Sequence, residues 1–321
     1  MKLLVTGGAG FIGSNFIRYL LQKYPGYRIM NLDKLTYAGN PDNLADIKEN
    51  KNYTFARGDI CDKKTVEKCL SGCDCLVNFA AHTHVDRSIR DASDFLQTNI
   101  IGTHTLLEAA RRLKIKLFLQ ISTDEVYGSL ERGRSKESDS LLPNSPYSAS
   151  KAAADHLVRS YFVTYRLPAI ITRSANNYGP YQYPEKVIPL FITNLLEGER
   201  VPLYGDGLNK RDWTYVLDNC SAIDTVLHKG KMGDVYNIGI GSEIPNIVLT
   251  KKILKSMRMP QNRIQYVQDR PGHDRRYALN IDKLKSLGWK PRFSFDDGLE
   301  LTIGWYKNNF GWWKKLKKQS S

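Results

Sequence analysis

Short aliphatic and β-branched runs alternate, through the first half of the chain, with longer stretches whose apolar residues recur every three or four positions. The runs at 3–6, 28–33, 53–59, 75–80, 117–122 and 169–174 predict strands, and the stretches near 11–23, 93–112 and 147–165 predict helices. Such alternation predicts right-handed βαβ units, and so an α/β fold built on a Rossmann-type, doubly wound parallel sheet with helices on both faces. After residue 178 the rhythm changes, and proline, glycine and aromatic residues crowd the segments 179–189 and 201–207. The run DVYNIG at 234–239 predicts a strand that returns to the first sheet. The expected organisation is a domain of residues 1–178 with a return segment near 213–241. A smaller, interleaved C-terminal substrate-binding lobe takes 179–212 and 242–321.

Composition narrows the class. With 41% hydrophobic and 25% charged residues the chain reads as an ordinary folded protein, which sets intrinsic disorder aside. Apolar runs such as 117–119 and 188–192 fall far short of a membrane span. Glycines interrupt the opening MKLLVTGGAG before a secretory core could form, so a cytoplasmic protein is expected. Of the 5 cysteines, Cys61, Cys69, Cys73 and Cys75 lie close together in sequence and Cys220 stands apart, with no second CxxC and no spaced HxxxH. Free thiols are expected, not disulfides, and no metal site.

The 47 basic against 33 acidic residues give a net charge of +14, which suits an anionic partner but does not choose among nucleic acid, membrane and phosphorylated small molecule. Lys307, Lys314, Lys315, Lys317 and Lys318 place much of the excess in the tail, which reads as a solvated, fraying terminus. No nucleic-acid or membrane partner is expected, although Trp312 and Trp313 beside the lysines keep a tail contact open.

The first strand runs into Thr6-Gly7-Gly8-Ala9-Gly10-Phe11-Ile12-Gly13, a glycine-rich loop opening a helix. Gly7, Gly10 and Gly13 allow a tight turn and close approach of a pyrophosphate to the unpaired N–H groups of the helix start. The second strand ends at Asp33, where a carboxylate can accept both ribose hydroxyls and would repel a 2′-phosphate, so the cofactor expected is NAD; Lys34 follows directly. Asp59 and Ile60, after the third strand, suit the adenine amino group and ring, and Asp59 equally suits a helix cap. The fourth strand leads into Ala80, Ala81, His82, Thr83 and His84; the two histidines alternate without a third ligand nearby, so hydrogen bonding or packing is expected of them.

Tyr147 and Lys151 stand four apart and share a helix face. An ammonium beside a phenol favours phenolate, which could take a hydroxyl proton while a hydride leaves the same carbon for NAD. Ser122 and Thr123 close the fifth strand, and Asp124-Glu125 follow. Two adjacent carboxylates there could divide the work of a dehydration, one removing a proton next to a ketone and the other protonating the leaving hydroxyl. A solvent-facing acidic turn is the alternative.

These motifs, with Asp33–Asn40, His84-Val85-Asp86-Arg87-Ser88, Ser122–Gly128, Asn176–Pro180 with Pro184-Glu185-Lys186, and Pro271–Arg276, resemble the extended short-chain dehydrogenase/reductase superfamily over nearly the whole chain. Within it they are most similar to the dehydratases that act on dTDP-glucose. The resemblance implies a lyase in which Tyr147, helped by Lys151 and Thr123, takes the C4 hydroxyl proton as hydride passes to NAD. Glu125 then removes the C5 proton, Asp124 protonates the C6 hydroxyl, and the hydride returns to C6. It further implies cofactor contacts at Phe11, Ile12, Asp33, Lys34, Leu35, Thr36, Asp59, Ile60, Ala80, Ala81, Thr98, Tyr147, Lys151 and Asn177. Contacts to a nucleotide-diphosphate sugar are implied at Thr83, Thr123, Asn176, Lys186, Val187, Arg211, Asn246, Asp269, Arg270 and His273. Arg211 is the natural bidentate partner of the diphosphate, with an ion pair to Asp206 or Asp212 as its alternative. The chain departs from the family at His82 and Thr83, where an acidic residue and serine are usual. A homodimer is implied too, the helices near 93–112 and 147–165 pairing as a four-helix bundle. A dehydratase for another nucleotide sugar, or a 4-epimerase, remains the alternative.

Overall fold

The structure, a computed structural model, describes residues 1–320. Among the described residues the strands, in chain order, are β1 (Lys2–Thr6), β2 (Arg28–Asp33), β3 (Tyr53–Arg57), β4 (Cys75–Asn78), β5 (Leu117–Thr123), β6 (Ala169–Ser174), β7 (Asn176–Tyr178), β8 (Val201–Tyr204), β9 (Lys210–Tyr215), β10 (Val235–Ile238), β11 (Glu243–Pro245) and β12 (Ile264–Val267). Seven of them form one parallel sheet in the order β10-β6-β5-β4-β1-β2-β3. The order reverses between β1 and β4, and that switch opens a crevice at the carboxyl edge of the sheet.

Both faces of the sheet are covered, which is why its strands are continuous apolar runs. Leu3 and Val5 of β1 and Leu117, Leu119 and Ile121 of β5 pack to one side, with the helices Phe11–Lys23 and Val216–Lys229. Leu4 and Phe118 point to the other, toward the helices Lys63–Leu70, Thr103–Arg112 and Pro146–Tyr165. Polar side chains stitch the buried centre: Thr6 donates to Asn78 at 2.6 Å and Asn78 to Gln120 at 2.9 Å, across β1, β4 and β5 in register. Two small sheets, β11-β9-β7 and β12-β8, pack with the helices Val187–Leu196, Asn246–Ser256 and Phe295–Asn308 around a separate apolar cluster.

Three expectations change. The helix near 93–112 is interrupted by a π-helical stretch, Leu96–Gly102, in which Asn99 reaches out to bond both the N–H and the carbonyl of His82. Wide turns of this kind collect at functional sites. The strands near 53–59 and 75–80 stop at Arg57 and Asn78, and the residues after them form the cleft edge. The third change concerns the basic tail, which does not fray over its described part. Residues Phe310–Ser320 form a helix whose Trp313 is fully buried and donates to the Tyr306 carbonyl at 2.8 Å. Lys314 and Lys317 pair with Glu197. The indole ring's burial outweighs the repulsion among the lysines, and Glu197 supplies their counter-charge. Among the described residues no helix is long and apolar enough to cross a membrane.

Candidate active site

A cleft runs across the carboxyl edge of the large sheet and continues into the small lobe as two cavities that share Thr83, Glu185 and Lys186. The first begins at the glycine-rich loop. Gly7 has φ +69, and a side-chain carbon there would lie 2.6 Å from the Ala80 nitrogen, so the loop and the start of the β4 segment touch as backbones. A carbon at Gly13 would lie 2.5 Å from the Gly7 carbonyl. Gly10 caps the helix Phe11–Lys23 without a side-chain acceptor, leaving the first N–H groups of that helix for an anion. Asp33, 8% exposed, accepts from Ala9 N–H at 2.9 Å and Leu35 N–H at 2.8 Å. Burial raises its carboxyl above the ordinary range, against those two hydrogen bonds. Lys34 pairs with Asp59 at 2.7 Å across the same rim.

These residues fit a dinucleotide: a backbone cradle only glycine allows, a free helix start, and a buried carboxylate one strand away. Gly7, Gly10, Phe11, Ile12, Gly13, Asp33, Lys34, Thr36, Asp59, Ile60, Ala80, Ala81, Thr98, Tyr147 and Lys151 all line this cavity. Leu35 and Asn177 do not; Leu35 turns at φ +57 to reach Asp33, and the Asn177 amide donates to the Ala175 carbonyl. Tyr37, Ser122 and Glu185 line the cavity too, although no sequence motif assigned them to the cofactor. Arg87 stands 3.9 Å over the Tyr37 ring and donates to Glu185 at 3.0 Å. His82 rests between Tyr37 and Phe95, and burial lowers its pKa, so it is a neutral ring, not a charge beside the cofactor.

At the junction of the cavities, the helix Pro146–Tyr165 sets Tyr147 and Lys151 behind the end of β5. A capping box between Ser145 and Ser148 fixes where that helix starts, and hence which face both residues occupy. Tyr147 shares a hydrogen bond with Thr123, and burial followed by the Glu125 charge raises its phenol well above the ordinary value. The expected lowering by Lys151 is therefore not what the protein alone provides. Lys151 donates to the Ile121 carbonyl at 2.7 Å, and burial brings it down to about 8, opposed by Asp155.

Beyond β5 the chain makes the short helical turn Asp124–Tyr127, capped by Thr123, whose hydroxyl accepts from Glu125 N–H at 3.3 Å and donates to Asp124 at 3.2 Å. The acidic pair is thus turned inward, and the solvent-facing alternative falls. Asp124 is 3% exposed with Oδ2 unpartnered; burial, then the neighbouring Glu125 charge, holds its carboxyl well above the usual range. Glu125 is also raised by burial, but Arg270, Lys186 and Arg211 pull it back, and it lines the second cavity. Both carboxyls are pushed toward their protonated forms, Asp124 the more strongly, and Glu125 has three cations pulling against that push.

Thr83, Asn176, Lys186, Val187, Arg211, Asn246, Arg270 and His273 line the second cavity; Asp269 does not, and instead bonds the His273 ring at 2.6 Å. The Oδ1 atoms of Asn176 and Asn246 and the Arg270 Nε are buried without a protein partner. Arg211 makes neither ion pair considered for it. Its guanidinium donates to the carbonyls of Lys210 and Asp274 at 2.8 and 2.7 Å and stacks 4.3 Å over Tyr277, so its positive charge is not neutralised by a carboxylate it touches. Asp206 pairs with Arg275, and Asp212 takes the N–H groups of Ile240 and Gly241. Tyr277 was not foreseen, because its arrival beside Arg211 depends on packing between segments far apart in sequence; Glu185 could have been chosen from its place before Lys186.

The sheet order, the glycine cradle and the Tyr147–Lys151 helix define a Rossmann-type enzyme of the extended short-chain dehydrogenase/reductase class. Residues 4–302 match the family profile described as GDP-mannose 4,6 dehydratase. The chain is similar to a dTDP-glucose 4,6-dehydratase of Streptomyces niveus, at 51% identity over 99% of this chain and 96% of that one. It is similar to the low-salt glycan biosynthesis protein Agl12 of Haloferax volcanii at 53% identity, over 95% of this chain and 98% of that one. Among solved structures, the dTDP-glucose 4,6-dehydratase of Streptomyces venezuelae, with NAD bound, is 50% identical with a TM-score of 0.97, covering 98% of this chain and all (100%) of that one. The chain belongs to this family of nucleotide-sugar 4,6-dehydratases.

Proposed function

We propose that the protein is an NAD-dependent dTDP-glucose 4,6-dehydratase, a lyase that converts dTDP-glucose to dTDP-4-keto-6-deoxyglucose. The observation that carries the reading is the unequal surroundings of Asp124 and Glu125 beside Tyr147. NAD, when bound along the glycine loop, Asp33 and Lys151, supplies the hydride acceptor at C4 and the donor at C6, and is regenerated within one turnover. Tyr147 takes the C4 hydroxyl proton, with Thr123 in its hydrogen bond and the Lys151 ammonium favouring phenolate. The C4 ketone acidifies C5–H, which Glu125 removes. Asp124, the carboxyl that favours its proton, gives it to the C6 hydroxyl, which leaves as water; Glu125 returns its proton to C5 as C6 is reduced, and the proton that Tyr147 took is released to restore Asp124.

Arg211 and Arg270 hold the diphosphate, with Lys186, Asn176, Asn246 and the Asp269–His273 pair orienting the rest of the substrate, while Thr83 and Val187 close the cavity. Two acids in a row serve elimination and have no task in 4-epimerisation, which favours dehydration. The protein acts as a cytoplasmic homodimer, supported by Leu96, Ile101 and Val163, apolar and about half exposed on the two long helices. The test is mass spectrometry of the protein incubated with dTDP-, UDP-, GDP- and CDP-hexoses, one arm without added NAD. Loss of one water from dTDP-glucose is expected. A product of unchanged mass would replace the dehydratase by an epimerase, and water loss from another sugar would replace the base.

A further inference from the structure

The helix that carries Tyr147 and Lys151 carries a third buried polar residue in the same row. Asp155 lies one turn beyond Lys151, is 2% exposed, and accepts from the Arg173 Nε at 2.9 Å. Arg173 belongs to β6, where it sits in register beside Ser122 of β5. Its Nη1 donates at 2.8 Å to the hydroxyl of Tyr127, which donates at 2.8 Å to Asn237 of β10. Tyr127 closes the turn that starts with Asp124 and Glu125. A continuous buried chain of bonds therefore joins the Tyr147–Lys151 helix to the acidic turn through β6, and continues from the turn to β10. Asp155 and Arg173 line neither cavity of the cleft, and both are buried, Asp155 on the far side of Lys151 from Tyr147 along the helix.

We propose that Asp155, anchored by Arg173, is a positioning residue of the reaction: it keeps Lys151 charged behind Tyr147 and, through Tyr127, ties that charge to the turn bearing Asp124 and Glu125. The inference rests on Tyr147 acting as the base. A buried ammonium is costly unless a counter-charge stands nearby. Of the charged groups on its own helix and on the elements packed against that helix, Asp155 is the one whose charge acts on Lys151; Arg173 on β6 and Asp124 and Glu125 on the turn have other partners or another state. Arg173 is matched by Asp155, Asp124 favours its neutral form, and Glu125 faces Arg270, Lys186 and Arg211. Asp155 is left as the carboxylate that serves Lys151, and its Oδ1 is buried without a hydrogen-bond partner that would drain its charge.

The experiment is the pH profile of kcat and KM for dTDP-glucose on the NAD-loaded protein. It compares the wild type with Asp155→Asn, Asp155→Glu and the double variant Asp155→Leu/Arg173→Leu, which leaves no unpaired buried guanidinium. Without the carboxylate, Lys151 loses its proton at lower pH, so the alkaline limb of kcat moves down by about one pH unit in the first and third variants. KM stays within about twofold, since neither residue lines the cleft, and Asp155→Glu keeps the wild-type limb. A merely structural Asp155 would lower kcat equally at every pH. An unmoved alkaline limb in either variant lacking the carboxylate, or a displaced limb in Asp155→Glu with an unchanged melting temperature, overturns the proposal. Tyr147→Phe, measured alongside, separates the two claims: if it turns over normally, the assignment of the base has failed, whatever Asp155 does.

Discussion

Lys151 stands one helical turn beyond Tyr147, yet its ammonium donates to the Ile121 carbonyl at 2.7 Å, and Tyr147 shares its hydrogen bond with Thr123. In the proposed reaction the lysine would act on the phenol through its charge, from a position its bond to the β5 backbone fixes. Tyr147→Phe keeps the ring's packing and removes the acid–base group, so kcat is expected to fall by about 10²–10⁴-fold. The check is single-turnover conversion of dTDP-glucose, with retained NAD measured to show that the cofactor site survives.

Asp124 and Glu125 are expected to fail at different stages. In Asp124→Asn, the C5 proton still exchanges with deuterated water while loss of the C6 hydroxyl slows. In Glu125→Gln, exchange at C5 falls together with turnover. NMR of recovered substrate and product distinguishes them, and full activity in both variants would remove the proposed division of labour.

Gly7→Ala places a methyl carbon 2.6 Å from the Ala80 nitrogen at a backbone φ of +69, so both sterics and conformation oppose it. Gly10→Ala meets its nearest neighbour, the Gly7 carbonyl, at 3.2 Å. The first variant is expected to lose NAD through purification, and the second to bind it more weakly but measurably. Absorbance of cofactor released on denaturation reads both.

The C-terminal helix is held by its indoles more than by its lysines. Trp313→Ala empties a fully buried site and is expected to cost about 3–5 kcal/mol in urea unfolding. Lys314→Ala and Lys317→Ala, at partly exposed ion pairs with Glu197, are each expected to cost at most about 1 kcal/mol. Trp312 also donates to Asn43 at 2.9 Å, and Asn43 donates to the Ala9 carbonyl at 2.8 Å, so Trp312→Phe should loosen the glycine loop as well.

His84 caps the helix Val85–Arg90 with its Nδ1 accepting from Arg87 N–H, and burial lowers its pKa to about 4. The unfolded chain binds this proton at the ordinary histidine value, higher than the folded one. The stabilisation from neutral His84 is therefore complete above about pH 6.5 and is lost as pH falls toward 4. His84→Asn, an uncharged cap, should show a flatter stability profile between pH 7 and 5 in urea titrations.

The strand–helix rhythm fixes the Rossmann sheet because a strand buried on both faces must be a continuous apolar run, and that signal is local. The dinucleotide loop, Asp33 and the Tyr147–Lys151 pair are legible for the same reason: each lies within one turn, one strand end or one helix turn. The π-helical stretch was not, since it arises from Asn99 bonding His82 across to another segment. Nor was the docked tail, whose lysines read as solvated until Glu197 and the pocket for Trp313 are brought to them.

By itself, then, the sequence determined the sheet, the cofactor loop and the residue types the chemistry needs. Tertiary structure decided their electrical states. Asp124 and Glu125 are neighbours of similar chemistry; burial pushes both carboxyls up, and Arg270, Lys186 and Arg211, arriving from the small lobe, hold Glu125 back, so that Asp124 is the one raised well above its ordinary range. Charge interactions act through space and depend on burial, so segments far apart in the chain set them, and no local pattern records that distance.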